Sequence, residues 1–195
     1  QHLLASWPVL KKQLDAFSLE SDPGSLFKAE VVGVLGENAI GKTTFVKILA
    51  GVLQPDNGTA DLHVKVSYKP QYLESSDSLV MIALQEAIKK HKNDIIAPLA
   101  LEQLFTKQLN QLSGGELQRV AIAAALARDC QLMLLDEPSA YLDVEQRLLV
   151  AKIIKNIVEL KGISALVVDH DLLFLDFLSD RLLVFDGKPA RHGHA

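Results

Sequence analysis

Residues 36–43 read Gly36-Glu37-Asn38-Ala39-Ile40-Gly41-Lys42-Thr43, a full match to the pattern G-x-x-x-x-G-K-[ST]. The two glycines let the backbone curl so that successive N–H groups point at phosphate oxygens. A helix starting behind them adds the favourable end of its dipole. Lys42 is expected to reach the β- and γ-phosphates of a nucleotide, and the Thr43 hydroxyl to ligate Mg²⁺. Gly36, Asn38, Ala39, Ile40, Gly41, Lys42, Thr43 and Thr44 form the candidate nucleotide-binding set. A glycine turn that merely precedes a helix is the plain alternative. Strand, loop and helix falling in order count against it.

Two further segments carry chemistry of their own. Leu132-Met133-Leu134-Leu135-Asp136-Glu137-Pro138 is an apolar run ending in two carboxylates. Asp136 is expected to hold Mg²⁺ and Glu137 to act as general base on an attacking water, a role worth about 10²–10⁴-fold in rate. Leu112-Ser113-Gly114-Gly115-Glu116-Leu117-Gln118-Arg119 opens an Ala-rich helix. Ser113 with bare backbone at Gly114 and Gly115 makes a second anion-binding helix start. The same residues also read as a capping box between Ser113 and Glu116, and the two roles are compatible. Asp143 with Gln146 reads as another capping box.

The elements that must position these groups follow from the surrounding pattern. Short branched runs alternate with helical spacing, as in a mixed α/β domain built on a mainly parallel sheet. Strands are predicted at 31–35, 63–68, 131–136, 163–169 and 181–185. Helices are predicted at 44–50, 114–128, 144–160 and 172–178, the 144–160 helix turning Leu148, Leu149, Ile153, Ile154, Ile157 and Val158 inward. Residues 78–110 mix polar and apolar positions at helical spacing, broken by Pro98, and predict two or three short helices.

The chain has 195 residues, 49% hydrophobic, with net charge −4 and one cysteine. That length favours one domain, and Cys130 has no intramolecular disulfide partner, which fits a reducing compartment. The run Val120–Ala127 in the hydrophobic middle falls far short of the roughly 18 residues that span a bilayer, so no membrane insertion is expected. The start shows no signal-peptide pattern, and the slightly acidic balance argues against binding nucleic acid by charge alone. No sequence-specific nucleic-acid contact is expected.

The octapeptide from Leu112, lying between a phosphate loop and an acidic strand end, resembles the signature motif of ABC ATPases. The likeness extends from Trp7 to Gly187. It implies a P-loop NTPase fold of ABC type, with a mainly parallel core, an N-terminal antiparallel β part and an inserted helical subdomain. The single domain 1–195 would then divide into a core, 1–77 and 129–195, and a helical part, about 78–128. The resemblance implies ATP and Mg²⁺ as ligands. It also implies head-to-tail pairing, in which Ser113, Gly114, Gly115 and Glu116 serve a nucleotide bound by a partner domain. By the same likeness Gln71 is the Q-loop glutamine that senses Mg²⁺ and water, and His170 the switch histidine at the γ-phosphate. Asp143 becomes the D-loop aspartate of the dimer interface. Trp7 takes the place of the aromatic that stacks on adenine, with Phe17 as its competitor. Asp169 stands where the family commonly has Glu, and Ala39 where it has Gly. His192 and His194 are weak evidence for a metal.

Ser139-Ala140-Tyr141-Leu142-Asp143 followed by Glu145-Gln146-Arg147 resembles subfamily E, the RNase L inhibitor or ribosome-recycling ATPases. Ser67-Tyr68-Lys69-Pro70-Gln71 and Phe185-Asp186-Gly187-Lys188-Pro189 add to that likeness. Ala140 points to the second of the two ATPase domains in such proteins, and the short loops and chain ending lean to archaeal members. The resemblance implies ATP-driven clamp closure that splits ribosomes into subunits in the cytoplasm. The partners implied are another ABC domain of the parent chain or a self-dimer, and the small ribosomal subunit with a release factor or Pelota. An ABC transporter subunit and a nucleotide-gated scaffold without turnover are the rival readings. The isolated domain is expected to hydrolyse ATP weakly.

Overall fold

The computed structural model describes residues 3–14, 17–36, 41–52, 54–57, 64–70, 74–188 and 192–194. Five parallel strands form the central sheet: β5 (Val31–Leu35), β6 (Val66–Lys69), β7 (Leu132–Asp136), β8 (Ser164–Asp169) and β9 (Arg181–Val184). Their spatial order is β6-β7-β8-β5-β9. In front of them in sequence stand β1 (Leu3–Trp7), β2 (Leu10–Leu14), β3 (Phe17–Ser21) and β4 (Gly24–Phe27). β1 pairs antiparallel with β4, and β2 with β3. The short strands β10 (Asp186–Lys188) and β11 (His192–His194) extend the β2–β3 pair. A parallel core preceded by an antiparallel β part is the layout expected from the sequence.

Because side chains alternate along a strand, the sheet divides the apolar residues between two cores. Val32, Val34, Leu132, Leu134, Leu166 and Val168 face one side, with Trp7, Leu26, Phe45 and Phe185. Val31, Met133, Leu135, Ala165 and Val167 face the other, with the helices. On that side lie α2 (Val80–Ala83), α3 (Gln85–Lys90), α4 (Gly114–Ala127), α5 (Val144–Lys161) and α6 (Leu172–Leu178). The helix α1 (Lys42–Leu49) packs on the β-rich side. Continuous burial explains why the central strands read as unbroken apolar runs.

The segment 78–110 folds into α2, α3, a π turn at Lys92–Ile96 and 3₁₀ turns at Glu102–Leu104 and Leu109–Gln111. Its Leu84, Ile95, Ile96 and Leu104 join the same cluster as Met133 and Ile154. The helical segment therefore shares a core with the sheet. In α5 the buried residues are Val150, Ala151, Ile153, Ile154, Ile157 and Val158. Leu148 and Leu149 are 46% and 37% exposed, which corrects the inward assignment of that first turn. The buried stripe of α5 begins only at Val150, and Arg147 beside them bonds the preceding turn at Leu142 O and the start of α6 at Asp171. Among the described residues no helix is long and apolar enough to cross a membrane.

Candidate nucleotide site

The phosphate-binding segment leaves the carboxyl end of β5 and returns as α1. Gly41 precedes the helix with φ 98°, a left-handed conformation open to glycine at little cost. Lys42 is 4% exposed. Its ammonium donates to Gly36 O at 2.5 Å and, at 3.4 Å each, to Glu137 Oε1 and Asp169 O. The phosphate-loop lysine thus reaches the carboxyl ends of β7 and β8. Asn38, Ala39 and Ile40 lie outside the described residues, as does Gln71.

Asp136 closes β7 and is fully buried. Neither carboxylate oxygen has a hydrogen-bond partner of ordinary geometry. Burial raises its pKa to about 6, against a lowering influence of the Thr43 hydroxyl and of Lys69 and Lys42. An unsatisfied buried carboxylate beside a phosphate-loop threonine is the donor set a hard divalent cation takes. The residues therefore fit Mg²⁺: Thr43 and Asp136 would hold it, with Gln71 as a third candidate ligand. Bound there, the ion would supply charge neutralisation to the phosphates.

Glu137, the next residue, sits at φ 52° and is 4% exposed. Non-glycine residues pay for that backbone, and they persist in it when neighbours hold them. Its N–H donates to Val168 O at 2.7 Å, and its carbonyl accepts the Gln118 amide at 2.7 Å. The side chain lies between Lys42 and His170, whose Nδ1 is 2.7 Å from Oε2. The His170 ring is half exposed. Glu137, Asp169 and His170 place ligand atoms within 4.8 Å of one another, but the Asp169 carboxylate already receives the Ser139 hydroxyl and three backbone N–H groups. The arrangement leaves a carboxylate and an imidazole in hydrogen-bond contact beside the lysine of the loop. Such a pair can orient and deprotonate water.

Lys69 is 1% exposed and donates to Asp136 O at 2.9 Å and Pro70 O at 3.0 Å. Burial lowers its pKa to about 8, opposed by the charges of Asp136, Asp169 and Glu137. Two consecutive carbonyls at the end of β7, those of Asp136 and Glu137, are therefore each held by a buried side chain. Lys69 and Gln118 were not among the expected site residues. Both lie inside motifs already marked, at places where only a three-dimensional contact reveals a partner.

The helix α4 starts as expected. Ser113 Oγ accepts from Glu116 N at 3.2 Å, and the Glu116 carboxylate accepts from Ser113 N at 2.9 Å. The Ser113 N–H is the main cause that lowers the Glu116 pKa. A second role for the glycines emerges: a Cβ on Gly114 would lie 3.1 Å from the Tyr141 ring, and one on Gly115 3.1 Å from the Tyr141 carbonyl. Tyr141 is 66% exposed with φ 63°. Asp143 caps α5 in a box with Gln146.

Trp7 is placed elsewhere than expected. It is 4% exposed, its ring meets Phe45 edge-on at 5.6 Å, and its Nε1–H donates to Asp22 O at 3.2 Å. It faces Gly24 across the β1–β4 pair, where any Cβ would fall 2.3 Å from the indole. The ring fills the core and offers no face to an adenine, so the stacking assignment is corrected. The Phe17 side chain and those of His192 and His194 lie outside the described residues.

Comparison with known proteins bears on the same motifs. The family model for ABC transporters matches residues 19–140. An uncharacterized ABC transporter ATP-binding protein of Methanocaldococcus jannaschii is 52% identical over 98% of this chain and 33% of its own length. The complex of the archaeal ribosomal stalk protein aP1 with the archaeal ribosome recycling factor aABCE1 contains a chain with TM-score 0.95 and 46% identity. That match covers all of this chain and 39% of the other. The model of ribosome-bound archaeal Pelota and ABCE1 contains one with TM-score 0.94 and 47% identity, over all of this chain and 34% of the other. The chain spans about a third of the length of the curated relatives it matches. With its phosphate loop, signature helix and acidic strand end in one fold, the chain belongs to the ABC ATPase family, and within it to subfamily E.

Proposed function

We propose that this chain binds Mg·ATP at 36–44 and hydrolyses it through Glu137, and that ATP-driven head-to-tail closure splits ribosomes into subunits. The observation that carries the catalytic half is the Glu137 carboxylate, set between Lys42 at 3.4 Å and His170 at 2.7 Å. Lys42 binds phosphate, Glu137 holds and deprotonates the attacking water, and His170 contacts the γ-phosphate. Gln71 reports on the site to the helical segment. The subdivision into a core, 1–77 and 129–195, and a helical part, about 78–128, belongs to this reading.

Closure requires contacts that ATP makes in the closed state and ADP does not. Ser113, Gly114, Gly115 and Glu116 provide them for the nucleotide of a facing domain, with Asp143 at the contact. The facing domain is the other ABC domain of a longer chain or a second copy. The ribosomal role is supported by the 46–47% identity to chains in structures named for ribosome recycling and ribosome-bound Pelota. The proposed partner is the small subunit with a release factor or Pelota, in the cytoplasm.

Glu137→Gln tests the catalytic part. The variant is expected to retain Mg·ATP binding and to lose hydrolysis by about 10²-fold or more. Unchanged turnover overturns the assignment. Subunit splitting by the full-length protein carrying this chain, followed by light scattering with and without the same substitution, tests the ribosomal part.

A further inference from the structure

The turn that follows the catalytic strand is fastened at both ends to the segment carrying His170. At its start, Ser139 is fully buried. The Ser139 hydroxyl donates to Asp169 Oδ1 at 2.7 Å and its N–H to Oδ2 at 3.0 Å. The same carboxylate accepts the N–H groups of His170 at 2.9 Å and Asp171 at 3.0 Å. At the far end of the turn, Arg147 Nε donates to Leu142 O at 3.0 Å, and its Nη1 meets Asp171 Oδ2 at 2.5 Å. The other Asp171 oxygen accepts from Phe174 N at 3.0 Å, capping α6.

Two charged side chains thus bridge residues 139–142 to residues 169–171. The bridges differ in kind. Asp169 is wholly enclosed and takes four donors, so it has no spare capacity and little freedom. Arg147 is partly exposed and planar, and its fork matches two acceptors at once. Between the two bridges the turn carries Tyr141, left-handed and exposed, against the signature glycines. Nothing in the chemistry of Glu137 itself requires either bridge.

We propose that Asp169 and Arg147 are positioning residues for His170, coupling the turn Ser139–Leu142 to the imidazole. A displacement of that turn, as on docking of a facing domain, then moves His170 relative to Glu137. The inference rests on the reading of His170 given above. Aspartate at 169, shorter than the glutamate common in the family, suits this task. Its carboxylate lies close enough to the backbone to receive the N–H groups of the next two residues.

The test is single-turnover hydrolysis with the chain in excess over Mg·ATP. Arg147→Met keeps the apolar stem and removes both donors. It is expected to slow hydrolysis about 10-fold while the Kd for Mg·ATP changes less than about 2-fold. In a His170→Ala background the same substitution is expected to slow hydrolysis by less than about 2-fold, since it acts through the histidine. Ser139→Ala, at the other end of the turn, is expected to show the same loss of effect. A merely structural role would give equal factors in both backgrounds, and that result overturns the proposal. So does an Arg147→Met that hydrolyses at the parent rate. If His170→Ala alone leaves the rate intact, the reading of His170 itself falls, and that control distinguishes the two failures.

Discussion

The side-chain amide of Gln118 donates to the backbone carbonyl of Glu137 at 2.7 Å, across 19 residues of sequence and fully inside the protein. It joins the signature helix to the proposed general base. A residue on the face that would serve one nucleotide therefore holds the backbone of the group that would act on another.

Replacing Gln118 by leucine leaves the Glu137 carbonyl with the Ala140 N–H at 3.2 Å as its remaining donor, and the loss of one buried hydrogen bond costs about 0.5–1.5 kcal/mol. The expected result is a lower melting temperature. A loss in the hydrolytic rate constant should exceed any loss of Mg·ATP affinity, because the left-handed backbone at Glu137 loses one of its three hydrogen bonds. Calorimetry and single-turnover hydrolysis on the same preparation check both.

Asp136 predicts a definite dependence on pH. Its folded pKa, about 6, lies above the ordinary carboxylate value of 3.8. The protonated form is favoured in the folded state, so this contribution to stability is present at low pH and fades as pH rises from about 4 through 6. Asp136→Asn should abolish that fall, gaining on the order of 2–3 kcal/mol relative to the parent over the same interval. Mg·ATP should stabilise the parent above pH 6 and the variant much less. Denaturant titrations at pH 4 and pH 7 decide it.

The two signature glycines should respond differently to alanine. At Gly114 the added Cβ meets the ring of exposed Tyr141, which can swing aside. At Gly115 it meets the Tyr141 backbone carbonyl, which cannot. Thermal unfolding should show Gly114→Ala within about 0.5 kcal/mol of the parent and Gly115→Ala weaker by about 1–2 kcal/mol.

Turnover by the isolated chain should be low and rise per molecule with chain concentration, as a composite site demands. Brisk turnover independent of concentration between micromolar and high-micromolar protein would exclude the head-to-tail scheme.

Much of the fold was legible because the central strands are buried on both faces. Runs such as Leu132–Leu135 and Ala165–Val168 have no polar member to confuse the pattern. Capping signals at Ser113 and Asp143 located two helix starts to the residue. The first turn of α5 was misjudged because Leu148 and Leu149 fit the helical stripe equally well by spacing. Only the folded packing, which leaves both leucines exposed and starts the buried stripe at Val150, shows that these residues face outward. Trp7 illustrates a different limit. An aromatic at a familiar distance from the phosphate loop looks the same in sequence whether it faces a ligand or fills a gap opposite Gly24. Lys69 was hidden for the opposite reason, since a lysine in a half-exposed strand is ordinarily solvated.

The central sheet divides the molecule into two separate apolar masses, one holding the phosphate-loop helix and the other the signature helix. Oil does not conduct direction: packed methyl groups transmit displacement but not orientation. Across this partition the oriented links described above gather at the carboxyl edge, where Lys69 and Gln118 each grip one peptide of the same strand. The protein is thus insulated over most of its section and wired at one rim. A single substitution at that rim could sever the two halves' conversation while leaving each half well folded.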